Sequence, residues 1–325
     1  MRSSAIAAIF ICSGTAVAQP VLITAAQIVS PTQTSITPTA GGPAIALATA
    51  EITVRGTILT INGRHTIASL VVERSAPATF GVLTHSANMN FDYSGGAGTD
   101  VVAGLELTVT GTVFIQGPDL ASLGSRIDLT ACGFQGRQGP GSLIYFGGGG
   151  GSGAGHGGAG ANGSGIVGGG CYGAFLTPST FGSGSSGNCC VASSAGGGRI
   201  KIMAGGSITI DGDIIADAQL PSGGQSGGGA GGSVHLITSA LSGTGTVRAR
   251  GAAGVNTTWG AGGGGRIAAE FTTRTLADSA FDASGGAVSF GNVRGGAGTV
   301  FLKPTASAGT LIIDNKAPTL GEATE

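Results

Sequence analysis

The sequence predicts an all-β protein whose C-terminal half is built from stacked repeats. Four glycine runs after residue 195 each open into a β-branched segment, and the aliphatic residues that begin these segments lie 34, 33 and 33 residues apart: Ile200, Val234, Ile267 and Val300. A fixed period of this length indicates units that stack on one another, because one unit alone cannot bury its apolar face. Sustained helical spacing is absent from the sequence, so each unit of about 33 residues is expected to contribute two or three short parallel strands.

The composition is that of a folded chain. The 325 residues include 66 glycines without a strict Gly-X-Y triplet, so a collagen-like helix is not expected. Hydrophobic residues make up 41% and charged residues 10% of the chain, which is the opposite of the signature of disorder. Because the net charge is −1 and the arginines are scattered, the sequence has no basic stripe for phosphates, and nucleic-acid binding is not expected.

The N-terminus has the pattern of a secretory signal peptide over residues 1–18. Arg2 supplies a positive charge, a short apolar stretch follows, and Ala16 and Ala18 form a small-x-small cleavage site before Gln19. The apolar stretch is much shorter than the about 20 residues that span a bilayer. The sequence therefore predicts a chain that is secreted or held at the cell surface, with no transmembrane segment after cleavage.

Four cysteines follow the signal peptide: Cys132, Cys171, Cys189 and Cys190. An even number in an oxidising compartment predicts disulfides. Three pairings are open, and the favoured ones join Cys132 and Cys171 each to one member of the adjacent pair, since a bridge between neighbours closes a strained ring. A metal site is not predicted, because no Cys-x-x-Cys pair is present and no histidine is close to the adjacent pair.

Changes in composition divide the chain into six segments. After the signal peptide, residues 19–50 are rich in Thr, Ala, Pro and Ser and are expected to cap one end of the stack. Residues 51–132 carry short β-branched runs separated by turn dipeptides, the first part of the predicted stack. Residues 133–198 form a glycine-rich, cysteine-containing segment, expected to lie as extended chain against the core because glycine allows close approach of backbones. The C-terminal repeats occupy residues 199–315, and a tail occupies residues 316–325.

The position after each glycine run forms a predicted ladder of side chains. Its members are Arg199, Ser233, Arg266 and Thr299, and stacked strands would place them about 4.8 Å apart. Alternating arginine with a small hydroxyl residue avoids like charges directly opposite one another. The ladder is therefore expected to be an exposed, solubilising row rather than a binding groove.

No catalytic, cofactor-binding or metal-binding residue is predicted. Asp211 and Asp213 would project from one face of a strand, with Asp217 nearby. Such carboxylates can act as acid and base on a polysaccharide or bind Ca²⁺. However, Asp211 precedes a glycine in a common turn dipeptide, which favours a structural role and leaves only weak Ca²⁺ binding open. The histidines are isolated in the sequence and each is expected at the surface or in a loop: His65, His85, His156 and His235.

Several short motifs together resemble a known group of proteins. They are TILTING at 57–63, LELTVTGT at 105–112, GRI at 198–200, ITIDG at 208–212 and LIIDN at 311–315. This pattern, which covers residues 57–315, is similar to the glycine-rich parallel β-helix repeat regions of large secreted bacterial surface proteins. The resemblance implies a right-handed parallel β-helix, a solenoid with glycine-rich loops, in an extracellular setting, and it implies no activity.

Two functions are consistent with these patterns. The first is a secreted or cell-surface, non-catalytic β-solenoid scaffold with a structural or adhesive role, whose partners would be extracellular glycans or other surface proteins. The second is an extracellular polysaccharide-cleaving enzyme, a lyase or glycosidase, that uses carboxylates on one face. The regularity of the repeats favours the scaffold, because an enzyme needs polar residues that converge in one place.

Overall fold

The computed structural model describes residues 17–88, 104–118, 124–143, 151–163, 166–187, 193–222, 226–255, 259–287 and 294–316. Within these ranges the protein is all-β, as the sequence predicts, with 21 strands and two short 3-10 helices, Leu47–Thr49 and Asp278–Ala280. Most of the predicted signal peptide and of the predicted tail lies outside the described residues.

The strands in chain order are β1 (Gln19–Ile23), β2 (Gln27–Val29), β3 (Ser35–Ile36), β4 (Ile45–Ala46), β5 (Ala50–Arg55), β6 (Ile58–Ile61), β7 (Gly63–Ile67), β8 (Ser69–Glu73), β9 (Val82–Thr84), β10 (Leu105–Val109), β11 (Val113–Ile115), β12 (Arg126–Asp128), β13 (Arg199–Ala204), β14 (Ser207–Ile210), β15 (Asp213–Ile215), β16 (Ser233–Ser242), β17 (Thr246–Arg248), β18 (Arg266–Arg274), β19 (Phe281–Asp282), β20 (Thr299–Pro304) and β21 (Thr310–Ile312).

These strands form three sheets. The twelve-stranded sheet has the path β1-β5-β8-β11-β14-β16-β13-β10-β7, and β18, β20 and β21 continue from β16. The seven-stranded sheet has the order β19-β17-β15-β12-β9-β6-β2, and its paired strands are parallel. The third sheet is the antiparallel pair β3-β4.

The predicted right-handed parallel β-helix, with uniform rungs of about 33 residues, is wrong as a description of this fold. The largest sheet is mixed, since β21 is antiparallel to β20, and its path turns back at β16, which pairs with both β13 and β14. Paired residues are 18 positions apart at Ile52 and Leu70 but 95 apart at Leu105 and Ile200. The regular period belongs only to the C-terminal repeats, because the glycine-rich segment is inserted between β12 and β13 and the earlier connections differ in length.

The register predicted for the C-terminal repeats is confirmed. Ile200, Val234, Ile267 and Val300 are Cα partners on successive parallel strands, and none is more than 4% exposed. In β13 buried and half-buried residues alternate, which places every second side chain inside. Both large sheets contribute to one continuous apolar core. Stacked aliphatic side chains are thus the main source of stability in this part of the molecule.

The glycine-rich stretches pack beside the strands as a glycine layer, which comprises residues 133–143, 151–163, 166–187, 193–198, 226–232, 259–265 and 294–298. Its backbones hydrogen-bond across the repeats: Gly231 N donates to Gly263 O at 3.0 Å, and Gly264 N donates to Gly296 O at 2.9 Å. Gly263 N also donates to Ala154 O at 2.8 Å, which ties the repeats to residues 151–163. Described residues of the long segment thus make backbone hydrogen bonds outside the named strands.

At many positions of the glycine layer the packing leaves no room for a Cβ atom. A Cβ atom on Gly263 would lie 1.9 Å from Gly158 O, and one on Gly264 would lie 1.8 Å from Ala283 O. Ordinary carbon-to-oxygen contacts are about 3.3 Å or longer. Glycine is required at these positions because the backbones touch directly.

Candidate functional site

An open groove of about 820 Å³ lies on the outer face of the seven-stranded sheet. Strands β12, β15 and β17 form its floor with the outward residues Arg126, Asp128, Asp213 and Arg248. The chain that follows these strands adds the polar residues Thr130, Asp217, Arg250 and Ser284, and Leu220 and Arg294 also line the groove. Because neighbouring strands are about 4.8 Å apart, these side chains form closely spaced rows.

Ion pairs occupy most of the charged groups in this groove. Asp217 accepts hydrogen bonds from Arg250 at N, Nε and Nη2, at 2.8, 3.0 and 2.8 Å, and lies 3.5 Å from Nε of Arg248. Arg126 pairs with Asp128 at 2.9 Å. Burial disfavours the charge on Arg250, but the hydrogen bonds and charge of Asp217 raise the pKa of the guanidinium. The floor is therefore held in place by the residues that line it.

Arg294 differs from the other arginines of the groove. Within the described part of the chain it has no carboxylate partner, and its Nε is buried without a hydrogen bond. The Nε of Arg248 also makes no hydrogen bond to any described residue, although Asp217 is near. Buried guanidinium nitrogens without acceptors are uncommon in folded proteins.

The structure places the carboxylates suggested by the sequence in different surroundings. Asp213 and Asp217 line the groove, whereas Asp211 lies in the bend before β15 and is not among the lining residues. Asp211 accepts hydrogen bonds from N and Oγ1 of Thr244 at 3.2 and 3.4 Å, and Asp213 accepts one from Thr246 at 2.5 Å. Each carboxylate thus bonds to a residue 33 positions later and ties one repeat to the next.

The ladder after the glycine runs is mostly buried, so the expectation of an exposed row is wrong. Ser233, Arg266 and Thr299 are 0, 2 and 0% exposed. Residues 171–181 of the glycine layer cover them: Ser233 donates to Thr180 O at 2.6 Å, and Arg266 Nε donates to Tyr172 O at 2.9 Å. No local pattern in the sequence indicates this contact, because Arg266 and its partner are 94 residues apart.

The expectation that the histidines are surface residues is also wrong. All four are nearly inaccessible to solvent, with exposures between 0 and 6%: His65, His85, His156 and His235. His65 hydrogen-bonds to Asn62 O at 2.9 Å, and His235 lies 3.1 Å from Glu270 Oε1.

His85 and His156 are each held as one neutral tautomer. In His85, Nδ1–H donates to Ser86 O at 2.8 Å, since a carbonyl can only accept, and Nε2 accepts from the Arg199 N–H at 3.1 Å. In His156, Nδ1 donates to Gly231 O at 2.6 Å and Nε2 accepts from the Thr180 hydroxyl at 2.7 Å. Burial lowers the pKa of His85 to about 4 and that of His156 to about 3.

Two of the four cysteines in the predicted disulfides belong to the described residues. Cys132 and Cys171 are both half-buried, whereas Cys189 and Cys190 lie outside the described residues, so the pairing stays a prediction. The Cys132 thiol donates to His85 O at 3.3 Å, and burial raises its pKa to about 11. A thiol in this setting is a poor nucleophile, because the reactive form is the thiolate.

Comparison of this chain with protein family models, with curated proteins and with solved structures found no match. In the described ranges, no helix has the length and apolar character to cross a membrane. Nor do any three His, Cys, Asp or Glu residues of those ranges lie together so that they could hold a metal ion.

Sequence reasoning missed most of the groove, although one signal is present in the repeats. Asp213 with Thr246 and Asp217 with Arg250 are 33 residues apart, the period of the repeats. Aligning the repeats at that spacing places each aspartate beside its partner. Arg294 has no such signal, because its place in the groove depends on how the glycine layer folds.

Proposed function

We propose that this protein is an exported, non-catalytic scaffold with a structural or adhesive role outside the cell. The observation that carries the proposal is the use of Asp211, Asp213 and Asp217 as ties between consecutive repeats. A general acid or base must exchange protons freely with a substrate. Carboxylates that accept hydrogen bonds from neighbouring repeats are instead arranged to hold the stack together.

The export part of the proposal rests on the sequence. Residues 1–18 have the charge, apolar stretch and small residues of a signal peptide. The close-packed glycine layer and the in-register repeats are consistent with a durable protein outside the cell, because each repeat is supported by its neighbours.

A polysaccharide-cleaving enzyme is the second candidate, and the charged groove is the observation that favours it. Glycosidases need two carboxyl groups separated by roughly 5 to 9.5 Å across the scissile bond. The groove does contain Asp128 and Asp213, but Arg126 and Thr246 hold these carboxylates. The scaffold is the better supported of the two.

The test is depolymerisation of a panel of neutral and acidic polysaccharides. The purified protein, the Asp128→Asn/Asp213→Asn double variant and a matched Asp278→Asn control are compared by release of reducing ends and of unsaturated products. Asp278 is a suitable control because it is 65% exposed and is not among the groove residues. We expect no product from any of the three proteins. Robust cleavage by the wild type that the double variant loses and the control keeps would establish the enzyme.

A further inference from the structure

The groove on the seven-stranded sheet has the features of an anion-binding site. Arg126, Arg248, Arg250 and Arg294 line it together with Asp128, Asp213 and Asp217. The arginines outnumber the carboxylates by one, and Arg294 is the arginine that has no carboxylate among the described residues. Asp282 on β19 is the Cα partner of Arg248 and adds a fourth carboxylate beside the groove. The feature that points to an anion is therefore Arg294 itself and not an excess of positive charge.

A guanidinium in such a position is suited to a planar or tetrahedral anion. It presents several N–H donors in a fixed plane, and it pairs with carboxylate and sulfate oxygens through two parallel hydrogen bonds. The unsatisfied Nε of Arg248 lies in the same groove. That nitrogen is buried, so an arriving anion would meet the half-buried side chain of Arg294 and would not break the pair of Arg250 with Asp217.

The size and the lining of the groove fit a hydroxyl-rich ligand. Its volume of about 820 Å³ is within the usual range of small-molecule sites, about 300 to 1,000 Å³. Thr130, Gln219 and Ser284 supply uncharged polar groups, and Leu220, which is 70% exposed, supplies an apolar surface. Sugars present both hydroxyl edges and apolar faces, so this combination fits a glycan better than a compact inorganic anion.

We propose that the groove binds acidic glycans, with Arg294 pairing with a carboxylate or sulfate group and the neighbouring polar residues contacting the sugar hydroxyls. The inference deepens the adhesive role proposed above and rests on it for its biological sense. General attraction of polyanions does not account for such binding, because the whole chain has a net charge of −1. The affinity must come from the local arrangement in the groove.

The test is calorimetric titration of the full chain with three probes of equal length: a galacturonic acid oligomer, a sulfated glucan oligomer and a neutral glucan oligomer. The variants are Arg294→Gln and the matched control Arg64→Gln. Arg64 is 71% exposed, pairs with Glu106 and is not among the groove residues. Arg250 is not replaced, because its loss would break the tie to Asp217.

We expect the wild type and Arg64→Gln to bind at least one acidic oligomer with dissociation constants within about twofold of each other. Arg294→Gln should bind it about tenfold more weakly, since a charge-assisted hydrogen bond is lost. The neutral oligomer should not bind, and higher salt should weaken the binding of the acidic one. The ratio of the uronate to the sulfate affinities identifies which anionic group the groove prefers.

Other results would overturn the inference. These are no binding of either acidic oligomer by the wild type, equal binding of the neutral oligomer, or equal affinities of Arg294→Gln and the wild type. The melting temperature of Arg294→Gln should equal that of the wild type, because Arg294 makes no ion pair with a described residue. Equal melting temperatures would show that weaker binding by this variant does not result from unfolding. Cleavage of a bound oligomer would contradict the non-catalytic scaffold but would leave the binding site in place. Absence of both binding and cleavage would overturn the binding site but would leave the scaffold in place.

Discussion

The substitution of Gly263 by alanine is expected to destabilise the protein strongly. The new Cβ would lie 1.9 Å from Gly158 O and 2.5 Å from Gly158 C, so the two backbones must separate by more than about 1 Å to reach an ordinary contact. Gly263 N donates to Ala154 O, and Gly263 O accepts from Gly231 N. Separation therefore weakens hydrogen bonds to two neighbouring segments.

The magnitude follows from these contacts. Overpacking costs about 1 to 3 kcal/mol, and each weakened backbone hydrogen bond adds about 1 kcal/mol. Alanine restricts the unfolded chain and returns about 0.4 to 1 kcal/mol. The net loss in the free energy of unfolding is about 3 kcal/mol, which is a large part of the about 5 to 15 kcal/mol of a typical protein.

Gly170 provides the matched control in the same layer. It is exposed, and a Cβ placed on it would have no atom within 4 Å. Gly170→Ala should therefore leave stability unchanged or raise it by up to about 1 kcal/mol. Urea unfolding followed by circular dichroism compares both variants with the wild type. If Gly263→Ala is as stable as Gly170→Ala, the close packing of the glycine layer is refuted.

Three further predictions concern the core, the histidines and processing. Val234→Asp should lower the free energy of unfolding by several kcal/mol. The control Ser239→Asp, at an exposed position of the same strand, should lower it by less than about 1 kcal/mol. Equal shifts in melting temperature for the two variants would contradict the register. Burial lowers the pKa values of His85 and His156 to about 4 and 3, so the unfolded chain binds more protons than the folded chain below pH 6.5. The free energy of unfolding should therefore fall between pH 6.5 and pH 4, by up to about 1.4 kcal/mol per pH unit for each histidine. Urea midpoints that are constant over this interval would be inconsistent with neutral buried rings. Intact-mass analysis should find a mature chain that begins near Gln19 and has no thiol that iodoacetamide alkylates after unfolding. Two or more alkylated cysteines would contradict the prediction that all four are in disulfides.

The local features of the fold were predictable because they depend on local patterns. The all-β class follows from short β-branched runs, and the register of Ile200, Val234, Ile267 and Val300 follows from their spacing. The structural role of Asp211 was also favoured by its turn dipeptide. Each of these inferences uses residues that are neighbours in the chain or are separated by the repeat.

The features that could not be predicted depend on contacts between distant segments. The sequence pattern predicts Ser233 in an exposed row, where aspartate would be tolerated, but Thr180 of the glycine layer covers it and accepts its hydrogen bond. The buried tautomer of His85 likewise depends on Arg199, 114 residues later. The prediction of a uniform stack was wrong for the same reason, since nothing in the repeats of residues 199–315 specifies how the unequal connections before them are arranged.

The most direct test of the scaffold measures how Asp217→Asn changes the free energy of unfolding. The Asp217 side chain is 12% exposed and accepts three hydrogen bonds from Arg250. If its role is to tie one repeat to the next, the variant should lose about 2 kcal/mol after allowance for the partly exposed partner. The matched variant Asp278→Asn, at a side chain that is 65% exposed, should change by less than about 0.5 kcal/mol. A carboxylate kept for chemistry is commonly held at a cost to stability, so an Asp217→Asn variant that is as stable as the wild type, or more stable, would contradict the account.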